Sequence, residues 1–150
     1  MRVVIQRVQR CSVEVEGKTI GEIGKGLAIL LGIEEADTQE DIDWLCGKVA
    51  HLRIFDDENG VMNLDIKQAE GMAIVISQFT LFASTKKGNR PSYIRSAKEA
   101  VSRPMYEKFL ATLAEVLGDE VEHGEFGADM QVSLVNDGPV TICIDSKSRE

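Results

Sequence analysis

Cysteine, histidine, long apolar runs and net positive charge are all scarce in this chain, and each shortage removes a class of function. The three cysteines, Cys11, Cys46 and Cys143, are odd in number, widely spaced and set among apolar neighbours. That pattern suits small buried hydrophobes and not a disulfide framework or thiol chemistry. The two histidines, His51 and His123, belong to no HxxxH or CxxC arrangement, so neither a metal site nor any other cofactor is expected. No run of about 18 apolar residues occurs, which excludes a transmembrane helix. The opening MRVVIQRV sets charges inside its apolar pattern and lacks the core of a signal peptide, which implies a cytoplasmic protein.

The net charge of −8 argues against indiscriminate binding to a polyanion, since phosphate neutralisation needs lysine and arginine. The charge is unevenly spread, however. Six acids and no base lie between Glu34 and Asp43. Lys86, Lys87, Arg90, Arg95, Lys98 and Arg103 follow one another against Glu99 alone. A local basic patch on an acidic body suits a partner whose phosphates touch one edge, although a solvated loop and helix start would look the same.

The 150 residues, 43% hydrophobic and 28% charged, read as one globular domain spanning 1–150, with no linker and no internal repeat. The first third alternates as strands: Val3, Ile5 and Val8, then Val13 and Val15, a turn at Gly17-Lys18, Ile20 and Ile23, and a turn at Gly24-Lys25-Gly26. Leu27–Leu31 and Met72–Ile76 are continuous apolar runs, as strands covered on both faces would be. Thr38 is a candidate N-cap for a helix with Ile42, Leu45, Val49 and Leu52 on its buried stripe. Asp56–Gly60 reads as a turn. A second helix is expected to begin near Ser102, with Pro104 in its first turn and Met105, Phe109, Leu113 and Val116 on one face, and to end at Gly118. Two further strands are expected, one holding Met130, Val132 and Leu134, the other Val140, Ile142 and Ile144. The fold class is α/β or α+β, mostly a barrel-like sheet with two main helices packed on it.

Two polar stretches interrupt this buried pattern. Ser77-Gln78-Phe79-Thr80-Leu81 continues an apolar strand. If the strand runs through it, period two puts Gln78 and Thr80 on one face and Ser77, Phe79 and Leu81 on the other. Such a strand end offers a ring for stacking, polar hooks and free backbone N–H groups. Thr80 is a candidate nucleophile, but it needs a base, and no histidine is near it in sequence and no G-x-S-x-G elbow exists. The alternative is that Ser77 and Thr80 only satisfy hydrogen bonds at the strand end. In Asn136-Asp137-Gly138-Pro139-Val140-Thr141, glycine stands directly before proline. The dipeptide is either an ordinary turn or a cis peptide, and in the second case it makes a backbone wall able to discriminate mirror-image substituents.

Taken with these motifs, the chain resembles the D-aminoacyl-tRNA deacylase (D-tyrosyl-tRNA deacylase) family over essentially its whole length. The likeness rests on MRVVIQRV, Gly26-Leu27 with Leu30–Ile33, Leu52–Phe55, Ser77–Leu81, Lys87–Tyr93 and the segment from Gly124 through Gly127-Ala128 to Thr141. Cys11 and Asp65 depart from the residues common in the family. The resemblance implies a homodimeric hydrolase that cleaves the ester between a D-amino acid and the terminal adenosine of tRNA. Gly138-Pro139 would be a cis dipeptide inserted into the partner subunit's site to exclude L-amino acids, with Arg7 supporting it. Ser77, Gln78, Phe79 and Thr80 would form the catalytic segment, and Phe126 and Met130 would flank it. Lys86, Lys87 and Arg90 are the residues expected to contact tRNA. Glycine on tRNA would also pass, because it lacks the side chain being tested. Thr80 is either the nucleophile or a support for backbone N–H groups and the adenosine 2′-hydroxyl, and the absence of a base favours the second. Two other readings are a sister-type deacylase that removes misattached L-alanine and a non-catalytic tRNA-binding module.

Overall fold

A fourteen-residue strand, β1 (Arg2–Val15), organises a computed structural model that describes residues 1–150. It turns through Glu16 and Gly17, both at positive φ, into β2 (Lys18–Ile23), one residue earlier than the Gly17-Lys18 turn expected from sequence. β3 is Gly26–Gly32 and α1 is Gln39–His51; a short hairpin of β4 (Phe55–Asp56) and β5 (Met62–Leu64) follows. β6 (Met72–Ser77) leads into a 3-10 turn over Phe79–Phe82, and then come α2 (Glu99–Leu117), β7 (Val121–His123) and β8 (Gln131–Asp145).

Pairing divides β1 along its length. β3 takes Arg2–Val8 and β2 takes Cys11–Val15, while β8 runs antiparallel to β1 from Arg2 to Glu14. β6 lies parallel to β3 and β7 parallel to β6. Parallel neighbours need long crossovers, and here these carry α1 and α2. The sheet curls so far that β2 meets β7: a Cβ on Gly21 would stand 2.6 Å from the His123 carbonyl oxygen, so only glycine lets the two edges come together. The architecture is therefore a nearly closed mixed sheet with two helices packed on it, as the apolar runs foretold.

Two cores result. Val8, Cys11, Val13, Ile23, Ala28, Ile74 and Ile76 fill the inside of the curl. The larger core lies between the sheet and the helices, where Ile29, Leu45, Val49, Phe109 and Leu113 are fully buried. β3 and β6 face a core on each side, which is why their sequences show no alternation.

Four sequence expectations are corrected. β8 is one strand and not two; its pairing with β1 slips between Gln6↔Thr141 and Val8↔Asn136, so Gly138-Pro139 bulges within the strand instead of ending it. α2 begins three residues before Ser102, at Glu99, leaving Pro104 inside the helix. Proline is tolerated there because the first-turn N–H groups of Val101 and Ser102 both reach the Lys98 carbonyl, so the helix is already nucleated upstream. β6 stops at Ser77, and Phe79–Phe82 forms a helical turn instead of extended chain. Cys143 is exposed on β8, whereas Cys11 and Cys46 are buried, their thiols pushed up to about 11 and about 12 by desolvation. The expected Thr38 cap holds: its N–H donates to Asp41 Oδ2 at 2.8 Å.

Asp41 also ties the last residues to α1, accepting from the Ser146 hydroxyl at 2.6 Å and from Lys147 Nζ at 3.1 Å. Burial by itself would raise its carboxyl, but these donors and the Thr38 N–H outweigh that and hold it well below the usual carboxylate range. A carboxyl depressed on folding stabilises above its unfolded value and loses that contribution as the pH falls through its folded one. Asp41→Asn should therefore be less stable than the parent at pH 7, and the gap should narrow as the pH drops below about 4. Urea denaturation at pH 7 and pH 3 measures this.

Candidate active site

Where β6 stops, its parallel neighbour β3 also ends, and the two strand ends open a pocket of about 300 Å³. Ser77, the last residue of β6, pairs with Leu31 of β3, and the Gln78 N–H donates to the Leu31 carbonyl at 2.7 Å. The chain then turns into the 3-10 segment, whose first closing bond runs from Leu81 N–H to the Gln78 carbonyl at 3.2 Å. The N–H groups of Phe79 and Thr80 thus have no partner inside the turn, and no side chain caps it.

Five sequence-derived site residues line this pocket together: Ser77, Gln78 and Phe79 from one segment, Phe126 and Met130 from another. Ser96, Ser102 and Asp129 add polar groups that sequence reading missed. Ser102 had a visible signal, but as a helix start; its hydroxyl donates to the Lys98 carbonyl at 3.1 Å. Phe126 is held by Tyr106 at 5.6 Å between ring centroids and by the Arg103 guanidinium 4.8 Å above its ring. Tyr106 is itself fixed by donating its hydroxyl to the Val75 carbonyl at 3.0 Å, and burial pushes its phenol up to about 12.

Thr80 is not in the lining. Its hydroxyl accepts a hydrogen bond from the Gln78 side-chain amide. The strand face that would have paired Gln78 with Thr80 does not exist, yet the tight turn brings the same two side chains together. The pocket wall contains no histidine, lysine or cysteine, and its sole carboxylate is Asp129. His51 and His123 are occupied elsewhere, their Nδ1 atoms within 2.8 and 2.7 Å of the Gly47 and Gly124 carbonyl oxygens. No grouping of three or more metal-ligating side chains is present. The wall therefore offers orientation and hydrogen-bond donors, not a nucleophile paired with a base.

Gly138 and Pro139 do not line the pocket of their own chain. They lie exposed on the β8 bulge, joined by a cis peptide. Gly138 sits at φ 131°, and a Cβ there would come within 3.1 Å of Arg7 Nη2. Arg7 is 8% exposed and lies beneath the bulge. Its Nε donates to the Asp137 carbonyl at 3.1 Å and its Nη1 to the Ile54 carbonyl at 2.7 Å, with the Asp56 and Asp137 carboxylates at 3.5 and 3.4 Å. The β4–β5 hairpin is thereby tied to the bulge through one side chain. Lys86, Lys87 and Arg90 are exposed on the loop closed by the Ser84–Ser92 bridge and form no part of the pocket wall.

The fold is a curled α+β sheet with two helices, and its pocket opens where two parallel strands end together. The D-Tyr-tRNA(Tyr) deacylase family profile matches residues 4–145, and the chain belongs to this family. The D-aminoacyl-tRNA deacylase of Bacteroides fragilis is 64% identical over 150 residues, covering 100% of both chains. Among solved structures, that of the c-Myc DNA Unwinding Element Binding Protein superposes with a TM-score of 0.92 at 37% identity, covering 97% of this chain and 98% of its own. A probable eukaryotic D-amino acid tRNA deacylase superposes with a TM-score of 0.82 at 16% identity over 95% and 97% of the two chains, a likeness that bears on the fold alone.

Arg7→Ala should release the bulge without unmaking the β1–β3 pairing. Hydrogen bonds from a charged donor contribute about 1.5–3 kcal/mol, so amide exchange at Asp137, Gly138 and Val140 should quicken by about 10–100-fold while Val3–Ile5 stay protected. Hydrogen–deuterium exchange resolved to these segments reads it.

Proposed function

We propose that this protein hydrolyses the ester of D-aminoacyl-tRNA, releasing free D-amino acid and tRNA, as a single cytoplasmic domain over residues 1–150 that pairs as a homodimer. The observation that carries the reading is the convergence of Ser77, Gln78, Phe79, Phe126 and Met130 on one pocket whose wall holds no histidine, lysine or cysteine. An aminoacyl ester is already activated, so orientation and two donors to the carbonyl oxygen are enough. Each donor to a developing oxyanion is worth about 3–4 kcal/mol.

In this mechanism the adenosine lies against Phe79 with the ester carbonyl facing the Phe79 and Thr80 N–H groups. Water, oriented by the adenosine's own 2′-hydroxyl, adds to the acyl carbon, and the carbonyl oxygen takes up the negative charge. The carbonyl re-forms as the bond to the ribose 3′-oxygen breaks, the proton given up by the water passes through the 2′-hydroxyl to that oxygen, and the free amino acid leaves. Thr80 supports the turn through its bond with Gln78 and attacks nothing.

Gly138-Pro139 acts as the filter for the hand of the amino acid, working in the partner subunit's site. Support comes from its exposure, from its position outside its own pocket and from the free outer edge of β8, which pairs with β1 alone. A wall of backbone cannot move aside by changing rotamer, so it excludes an L side chain while admitting a D side chain or glycine. Lys86, Lys87 and Arg90 face the tRNA.

Single-turnover hydrolysis of D-Tyr-tRNA, Gly-tRNA and L-Ala-tRNA tests the assignment. Cleavage of the first two and not the third is expected. Preference for L-Ala-tRNA would indicate the sister-type deacylase, and binding without turnover a non-catalytic module. Thr80→Ala should keep its rate within about tenfold, because deleting a true nucleophile costs on the order of 10⁶. Loss of essentially all single-turnover activity in a folded variant would restore Thr80 as the nucleophile.

A further inference from the structure

An apolar face extends from Phe79 at the pocket to Tyr93 and Ile94, which have no part in the chemistry above. Phe79, which lines the pocket, is 57% exposed, and its ring meets that of Tyr93 in a T-shaped pair with centroids 5.1 Å apart. Tyr93 is 40% exposed and its neighbour Ile94 is 88% exposed. A T-shaped contact occupies at most one face of one of the two rings, so flat aromatic surface is left turned to solvent.

The segment leading to Tyr93 is shaped to present charge beside that surface. Ser84 and Ser92 exchange backbone hydrogen bonds of 2.8 and 2.9 Å, closing a neck under residues 85–91. Lys86, Lys87 and Arg90 are exposed on the loop above the neck, and none of them forms an ion pair. The other arginines of the same basic stretch are engaged: Arg95 with Glu34 at 3.5 Å and Arg103 with Glu99 at 2.6 Å. Free positive charge on a body of net charge −8 is thus gathered next to the aromatic pair. Stacking rings beside unpaired cations are what a single-stranded nucleic acid requires, since each base offers a π-face and each phosphate a charge. A double helix keeps its base faces stacked inside and cannot use the rings.

We propose that the Phe79–Tyr93 pair and the loop above the Ser84–Ser92 neck form a docking platform for the single-stranded end of tRNA, with the base preceding the terminal adenosine stacked on Tyr93 and its phosphates facing Lys86, Lys87 and Arg90. The inference rests on the deacylase reading of the pocket, because Phe79 belongs to both surfaces and so fixes the direction in which the strand must leave. Tyr93 is a binding residue for the RNA and touches no reacting atom.

The test compares D-Tyr-tRNA with D-tyrosyl-adenosine, which carries the same ester but no preceding nucleotide. Tyr93→Ala should raise the half-saturating concentration for D-Tyr-tRNA on the order of tenfold at an unchanged maximal rate, and the loss should be confined to that substrate. Tyr93→Phe, which keeps the ring face, should restore it. Equal loss on both substrates would mean that Tyr93 only props Phe79, and no loss on either would mean that RNA does not reach it. A shift in sedimentation of Tyr93→Ala would assign the face to a second copy of the chain. Each of these three results overturns the platform. If the parent protein cleaves neither substrate, the deacylase reading fails by itself. Titration with a fluorescent single-stranded CCA-ended oligonucleotide then decides: weaker binding by Tyr93→Ala upholds the platform, and equal binding rejects it.

Discussion

One buried guanidinium holds the Gly138-Pro139 bulge in place. Arg7 projects from β1, the strand that β2, β3 and β8 all pair with, and it ends beneath the bulge where the β1–β8 pairing slips between Gln6 and Val8. A charge so little exposed is tolerable only because two backbone carbonyls and two carboxylates surround it. Those acceptors come from two stretches far apart in sequence: Ile54 and Asp56 at the start of the β4–β5 hairpin, and Asp137 on the β8 bulge. Satisfying Arg7 therefore helps fix the bulge relative to the sheet. Asn136 adds a local clasp, its side-chain oxygen accepting the Val140 N–H at 3.0 Å.

The pocket follows a different logic. It forms where two parallel strands end together and the chain must turn sharply, so the backbone of the turn presents donors that nothing inside the fold takes up. The chemistry allowed by such a wall is narrow. It can polarise a carbonyl and hold a ring, but it cannot generate a nucleophile from a hydroxyl. Under the proposed reaction, that restriction suits a substrate whose ester is already labile.

Much of the architecture was readable from hydropathy alone. The continuous apolar runs at Leu27–Leu31 and Met72–Ile76 announced strands buried on both faces, and the stripe from Ile42 to Val49 announced α1. The misreadings share a cause. Gly138-Pro139 looked like a break between two strands because a local reading cannot see β1, which pairs on both sides of the bulge and carries the strand through it. Pro104 looked like a helix start because proline favours that position, but contacts upstream had already begun the helix. Cys143 looked like Cys11 and Cys46 because its apolar neighbours are the same kind; strand alternation turns it to the face opposite Ile142 and Ile144, which pack on the core.

The sequence by itself determined the fold class, the two motifs and the lack of any histidine near Thr80 in the chain. These are local properties: periodicity, residue type, and what a side chain can or cannot do with a proton. Only the tertiary structure decided that Phe126 and Met130 share a pocket with Ser77–Phe79, that Thr80 turns away to Gln78, and that Gly138-Pro139 lies on Arg7 and outside its own chain's pocket. Each of these is settled by pairing between segments dozens of residues apart, through hydrogen bonds and burial that no local pattern encodes.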